Sequence, residues 1–234
     1  MSHRRKEGSG GGQQVSHRRK EGSGPASPRV DWAALTRALP MGRDDASTAR
    51  REALWREWDM NGNGALSFTE VNTGLRKLMS GAMASLLPSA GATYWGSVFK
   101  PVLMRAFCFT KDHNRRSKKK AQRRDDFVEH DEFRMLLLCI RQYFEMFIAF
   151  RRLDTSGDRK LDFDEFVAAL PLLERWGVQL SAEAAEADFR AIDTNSSGVI
   201  TFDEFLTFGM ARRLDLDDDD DFEDFGLEDG EAMY

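Results

Sequence analysis

The sequence is poor in cysteine and histidine and has no long apolar run, and each scarcity excludes a class of protein. Its two cysteines, Cys108 and Cys139, lie far apart among apolar residues. They offer neither a disulfide framework nor a thiolate metal spacing, and read as buried free thiols of a reducing compartment. The four histidines, His3, His17, His113 and His130, lack the spacing of a metal centre. No nucleophile–base set and no phosphate-cradling loop stands out, so the chain is not expected to be an enzyme. The longest apolar stretch, residues 133–153, is interrupted by Arg134, Arg141, Glu145 and Arg151. It does not qualify as a bilayer span. The start, Met1-Ser2-His3-Arg4-Arg5, has no apolar segment behind it and is no secretory signal. The expectation is an intracellular protein that is not transmembrane. Strand-like alternation is negligible.

What is present is charge, unevenly placed, and helical periodicity. Of 234 residues, 41% are hydrophobic and 31% charged, and the net charge of -5 conceals opposed ends. Residues 1–28 are glycine, serine and charge, and are expected to be disordered. They hold a direct repeat, residues 2–10 recurring as 16–24, with basic clusters at 4–6 and 18–20. A second basic stretch covers 111–124, and an acidic tail covers 215–234. Apolar stripes at helical spacing predict helices over 31–39, 47–58, 68–79 and 94–109. The third of these is followed by a connector over 80–91. A long central helix follows over 130–153, apolar on most faces and so expected to be buried between two lobes. Further helices are predicted from 163, from 181 and over 202–214. The fold class is all-α: four helix-loop-helix units in two paired lobes, with disordered tails. The expected domains are the 1–28 tail, an N-terminal pair over 29–140, a C-terminal pair over 141–214, and the 215–234 tail.

The chemistry lies in the loops between these helices. Calcium is a hard cation that takes six to eight oxygens at about 2.3–2.6 Å. A twelve-residue loop supplies them from positions 1, 3, 5, 7, 9 and 12, with a glycine turn at position 6 and an apolar residue at position 8. Residues 193–204 meet every requirement. Asp193, Asn195, Ser197, the Val199 carbonyl, Thr201 and Glu204 are the ligands, Gly198 makes the turn, and Ile200 fills position 8. Residues 59–70 match equally, through Asp59, Asn61, Asn63, the Ala65 carbonyl, Ser67 and Glu70. Their charge is low, since only Asp59 and Glu70 are anionic. Residues 154–165 offer Asp154, Ser156, Asp158, the Lys160 carbonyl, Asp162 and Glu165, but Arg159 stands where glycine is expected. A left-handed backbone costs a non-glycine residue about 1–2 kcal/mol, which four carboxylates offset. The remaining unit has lost its ligands. With Glu132 at position 12, Ala121 falls at position 1 and Arg123 at position 3. It is expected to serve as a structural partner, Val128 meeting Leu66 as Leu161 meets Ile200. Three such loops predict EF-hand units that bind calcium.

Particular stretches resemble a known family. Residues 173–178 (Leu-Glu-Arg-Trp-Gly-Val), 191–195 and 198–205 look like the C-terminal lobe of the kinetoplastid flagellar calcium-binding proteins, or calflagins. Residues 126–129 and 132–136 are similar in style to that family's degenerate second unit. The resemblance implies a four-unit EF-hand fold in a flagellum or cilium, or otherwise the cytoplasm. It also implies calcium-dependent attachment to the flagellar membrane through acyl groups on a Met-Gly-Cys start. Here the second residue is Ser2 and no cysteine is near, so the acylation motif is missing. The basic clusters leave a weaker attraction to an anionic membrane surface, about 1 kcal/mol per basic residue, or to an acidic cytoskeletal protein. Nucleic acid is not an expected partner of so acidic a chain. The resulting expectation is a flagellar calcium sensor acting on a membrane or protein partner. The alternatives are a structural component of the axoneme or cytoskeleton, and a calcium buffer.

Overall fold

The computed structural model describes residues 32–86, 100–113 and 126–214. The N-terminal repeat, most of the basic insert, positions 121 and 123 of the degenerate loop and the acidic tail lie outside the described residues. Within them the chain forms eight α-helices and four two-residue strands.

Helix α1 (Trp32–Ala38) is short. Helix α2 (Asp45–Trp58) starts where Asp44 accepts from the Ser47 amide at 2.8 Å, satisfying a donor that the first turn leaves open. Its stripe of Leu54, Trp55 and Trp58 is buried. Helix α3 (Phe68–Leu86) runs beyond the expected end at Met79. The small residues read as a connector include two alanines and no proline before Pro88, and alanine is the best helix former. Of the helix expected over 94–109, residues 94–99 lie outside the described residues, and helix α4 (Lys100–His113) carries the rest. Pro101 occupies its first turn, where a missing N–H costs nothing. The helix then extends past Phe109 into the start of the basic stretch.

Strands β1 (Ala65–Leu66) and β2 (Val128–Glu129) pair antiparallel, Leu66 opposite Val128. Strands β3 (Lys160–Leu161) and β4 (Ile200–Thr201) do the same, Leu161 opposite Ile200. All four apolar residues are fully buried. The position-8 residues therefore stitch the units in pairs, including the degenerate one.

A 3-10 turn, His130–Glu132, leads into helix α5 (Phe133–Leu153). Helices α6 (Phe163–Arg175), α7 (Ala185–Ile192) and α8 (Phe202–Ala211) complete the chain. Helix α7 starts later than the expected residue 181. There the Ser181 hydroxyl and carbonyl both accept from the Ala184 amide, at 3.1 and 3.2 Å, and close a separate turn.

Helix α5 belongs to both pairs. At one end Phe133 packs edge-on against Trp55 and Trp58, with ring centroids 5.2 and 5.3 Å apart. At the other end Phe150 packs against Phe202 and Phe205, at 5.6 and 5.5 Å. Two of its charges are internal. Arg141 and Glu145 are buried and paired at 2.7 Å, and Arg141 also lies 4.6 Å from the Trp32 ring centroid. A buried charge survives only when paired in this way. Among the described residues no helix is long and apolar enough to cross a membrane.

Candidate metal centres

Each loop begins where a helix ends and finishes inside the next helix. Asp193 ends α7, and Glu204 lies in the first turn of α8. Asp193 Oδ1 accepts from the Ser197 amide at 2.9 Å, and Oδ2 from the Gly198 amide at 2.8 Å. Glu204 reaches back across the loop. Its Oε1 accepts from the Asn195 side-chain amide at 2.8 Å and the Thr194 hydroxyl at 3.1 Å. Its Oε2 accepts from the Thr201 hydroxyl and amide, at 2.7 and 2.9 Å. The Ser197 hydroxyl donates to the Val199 carbonyl at 2.9 Å. Burial pushes the Glu204 carboxyl up, but the hydrogen bonds from Thr201, Asn195 and Thr194 outweigh it and hold the group below the usual glutamate value.

Residues 59–70 repeat the pattern. Asp59 accepts from the amides of Asn63 and Gly64, at 3.1 and 2.9 Å. Asn63 in turn accepts from the Ala65 amide at 2.9 Å. Glu70 takes the Asn61 amide on Oε1 at 2.8 Å and the Ser67 hydroxyl on Oε2 at 2.7 Å.

Residues 154–165 differ. Asp154 accepts from the amides of Gly157 and Arg159, at 2.7 and 3.0 Å. Glu165 takes the backbone amides of Ser156 and Asp162, at 2.8 and 3.2 Å. Asp158 and Asp162 accept from the amides of Lys160 and Glu165, at 2.9 and 2.8 Å. Each of the four carboxylates is thus occupied by the loop's own N–H groups. Among the described residues no three His, Cys, Asp or Glu side chains stand together as a metal cluster. The donors near each loop centre are instead mixed carboxylate, amide, hydroxyl and carbonyl oxygens. Such a set fits a hard cation and suits a soft one poorly.

Two features escaped the sequence reading. Every loop has two left-handed residues, at positions 4 and 6. They are Gly62 and Gly64 (φ 65° and 73°), Gly157 and Arg159 (79° and 70°), and Ser196 and Gly198 (55° and 81°). Glycine at position 4 in two of the three loops is the signal in the sequence for the left-handed residue there. Secondly, position 12 also caps the outgoing helix. Asp162 with Glu165 and Thr201 with Glu204 form reciprocal capping boxes. Glu129 with Glu132 does so in the degenerate unit. In that unit Glu132 closes the turn into α5.

Two family models cover most of the chain. Residues 35–140 match the FCaBP EF-hand domain, and residues 143–208 the EF-hand domain pair. Flagellar calcium-binding protein TB-17 of Trypanosoma brucei brucei is 34% identical over 206 residues, 88% of this chain and 82% of that protein. The flagellar calcium-binding protein of Trypanosoma cruzi is 32% identical over 190 residues, 81% of this chain and 83% of that protein. A solved structure of a homolog of programmed cell death 6 protein from Leishmania major Friedlin is 25% identical, with a TM-score of 0.35, covering 76% of this chain and 80% of that one. This chain belongs to the flagellar calcium-binding protein (calflagin) family and is a calcium-binding EF-hand protein.

Proposed function

We propose that this protein is a calcium sensor of the flagellum, acting on an anionic membrane surface or a protein partner. The ions are held by Asp59, Asn61, Asn63, Ala65, Ser67 and Glu70, by Asp154, Ser156, Asp158, Lys160, Asp162 and Glu165, and by Asp193, Asn195, Ser197, Val199, Thr201 and Glu204. One observation carries the sensor reading over a buffer. Glu204 follows Phe202 by two residues in the first turn of α8, and the Phe202 ring lies 5.4 and 5.6 Å from those of Phe147 and Phe150 on α5. A shift of Glu204 toward an ion is thereby passed to the helix shared by both pairs, which is how a sensor converts binding into exposed apolar surface. A calcium titration followed by an apolar-surface dye and by helix content tests this. Dye binding should rise as the loops fill. Calcium uptake with both signals flat would identify a buffer. Retention on the detergent-extracted cytoskeleton regardless of calcium would identify a structural component.

A further inference from the structure

We propose that Arg105, which lies outside every ion loop, is a positioning residue for calcium binding by residues 193–204. The inference rests on the assignment of that loop as a calcium site.

Arg105 projects from α4, in the N-terminal half of the chain. Its guanidinium pairs with the carboxylate of Asp203 and lies 5.9 Å from the centroid of the Phe202 ring. These two residues are positions 10 and 11 of the loop, and the next residue is Glu204. The Phe202 ring also packs against the rings of Phe147 and Phe150 of α5. The ion pair lines a half-open cavity of about 260 Å³ between α4, α5 and α8. Arg105, Cys108, Tyr143, Asp203 and Met210 are among the residues that line it. Close packing therefore does not by itself fix the start of α8 on the α4 side. Arg105 bridges that gap and holds the first turn of α8 where Glu204 reaches Thr194 and Asn195.

The sign of the effect separates positioning from simple electrostatics. Arg105 is a cation near a cation site, so deleting its charge should tighten calcium binding if charge alone matters. Deleting a positioning contact should weaken it. The pair is partly exposed, so the effect is modest, about two- to fivefold.

The test is calorimetric calcium titration of the full chain in two backgrounds. Glu70→Gln leaves the C-terminal pair of loops, and Glu165→Gln with Glu204→Gln leaves residues 59–70. In the first background Arg105→Ala should weaken binding about two- to fivefold, and Arg105→Lys should restore most of it. In the second, Arg105→Ala should change nothing. Unchanged or tighter binding in the first background overturns the proposal, as does equal weakening in both, which would mark general destabilisation. Failure of Glu70→Gln itself to take up calcium overturns the assignment of the C-terminal loops, and the role of Arg105 with it.

Discussion

Asn61 stands to Glu70 as Asn195 stands to Glu204: in each pair the side-chain amide nitrogen lies 2.8 Å from Oε1. Positions 3 and 12 are thus already drawn together across the loop. The glutamate carries both the charge and the reach, so its amide should not substitute for it. Glu70→Gln, Glu165→Gln and Glu204→Gln should each remove one calcium site, with a loss of at least about tenfold in affinity, since a charge-assisted contact is worth about 1.5–3 kcal/mol. Isothermal calorimetry on the three variants counts the sites. A variant that keeps the wild-type stoichiometry would remove its loop from the set.

The left-handed conformation of Arg159, at φ 70°, defines a second test. Glycine adopts this conformation without the side-chain clash, which costs about 1–2 kcal/mol. Arg159→Gly should therefore tighten calcium at residues 154–165, by up to about tenfold. Ser196→Gly should act in the same direction on residues 193–204. Both changes are read by calorimetry in a Glu70→Gln background. No gain at Arg159 would mean that its side chain contributes as much as its backbone costs.

Gly74 of α3 touches the ring of Trp58. A β-carbon on Gly74 would come within 2.5 Å of that ring, and Trp58 is fully buried. Gly74→Ala should destabilise the protein by about 1–3 kcal/mol through overpacking. Because Trp58 immediately precedes Asp59, calcium binding at residues 59–70 should weaken with it. Thermal melting and a calcium titration of the same variant check both effects.

The two thiols should behave differently. Cys139 is wholly buried, and that burial pushes its pKa up to about 12, so it is a neutral thiol at neutral pH. Cys108 is half-buried and faces the cavity between α4, α5 and α8. Native protein treated with a maleimide should gain one adduct, at Cys108, by mass spectrometry. Two adducts at equal rates would contradict the burial of Cys139.

The loops were legible because their chemistry is local. Twelve consecutive residues carry the candidate ligands, the turn and the position-8 anchor, and the pairings of Leu66 with Val128 and Leu161 with Ile200 follow from that spacing. The left-handed backbone at Arg159 follows from it too. Long-range features were not legible. Arg141 and Glu145 read as interruptions of an apolar run, yet they pair inside it beneath Trp32, about a hundred residues away. Arg105 carried no motif, because its partner Asp203 is adjacent only in space. The ends of α3 and α4 lie beyond their expected places because small residues read as a connector and a basic stretch reads as the end of a helix. Alanine favours the helix, and proline is tolerated in a first turn.

Helix α5 is 21 residues long, without proline or glycine, and so spans about 32 Å as a single rod. The outgoing arm of one pair of units and the incoming arm of the next are the same object. No torsion angle is free between them, so the halves cannot drift apart or reorient as tethered bodies would. On the sensor reading proposed above, a turn imposed on the rod by ions at one end would reach the other end through the same helix.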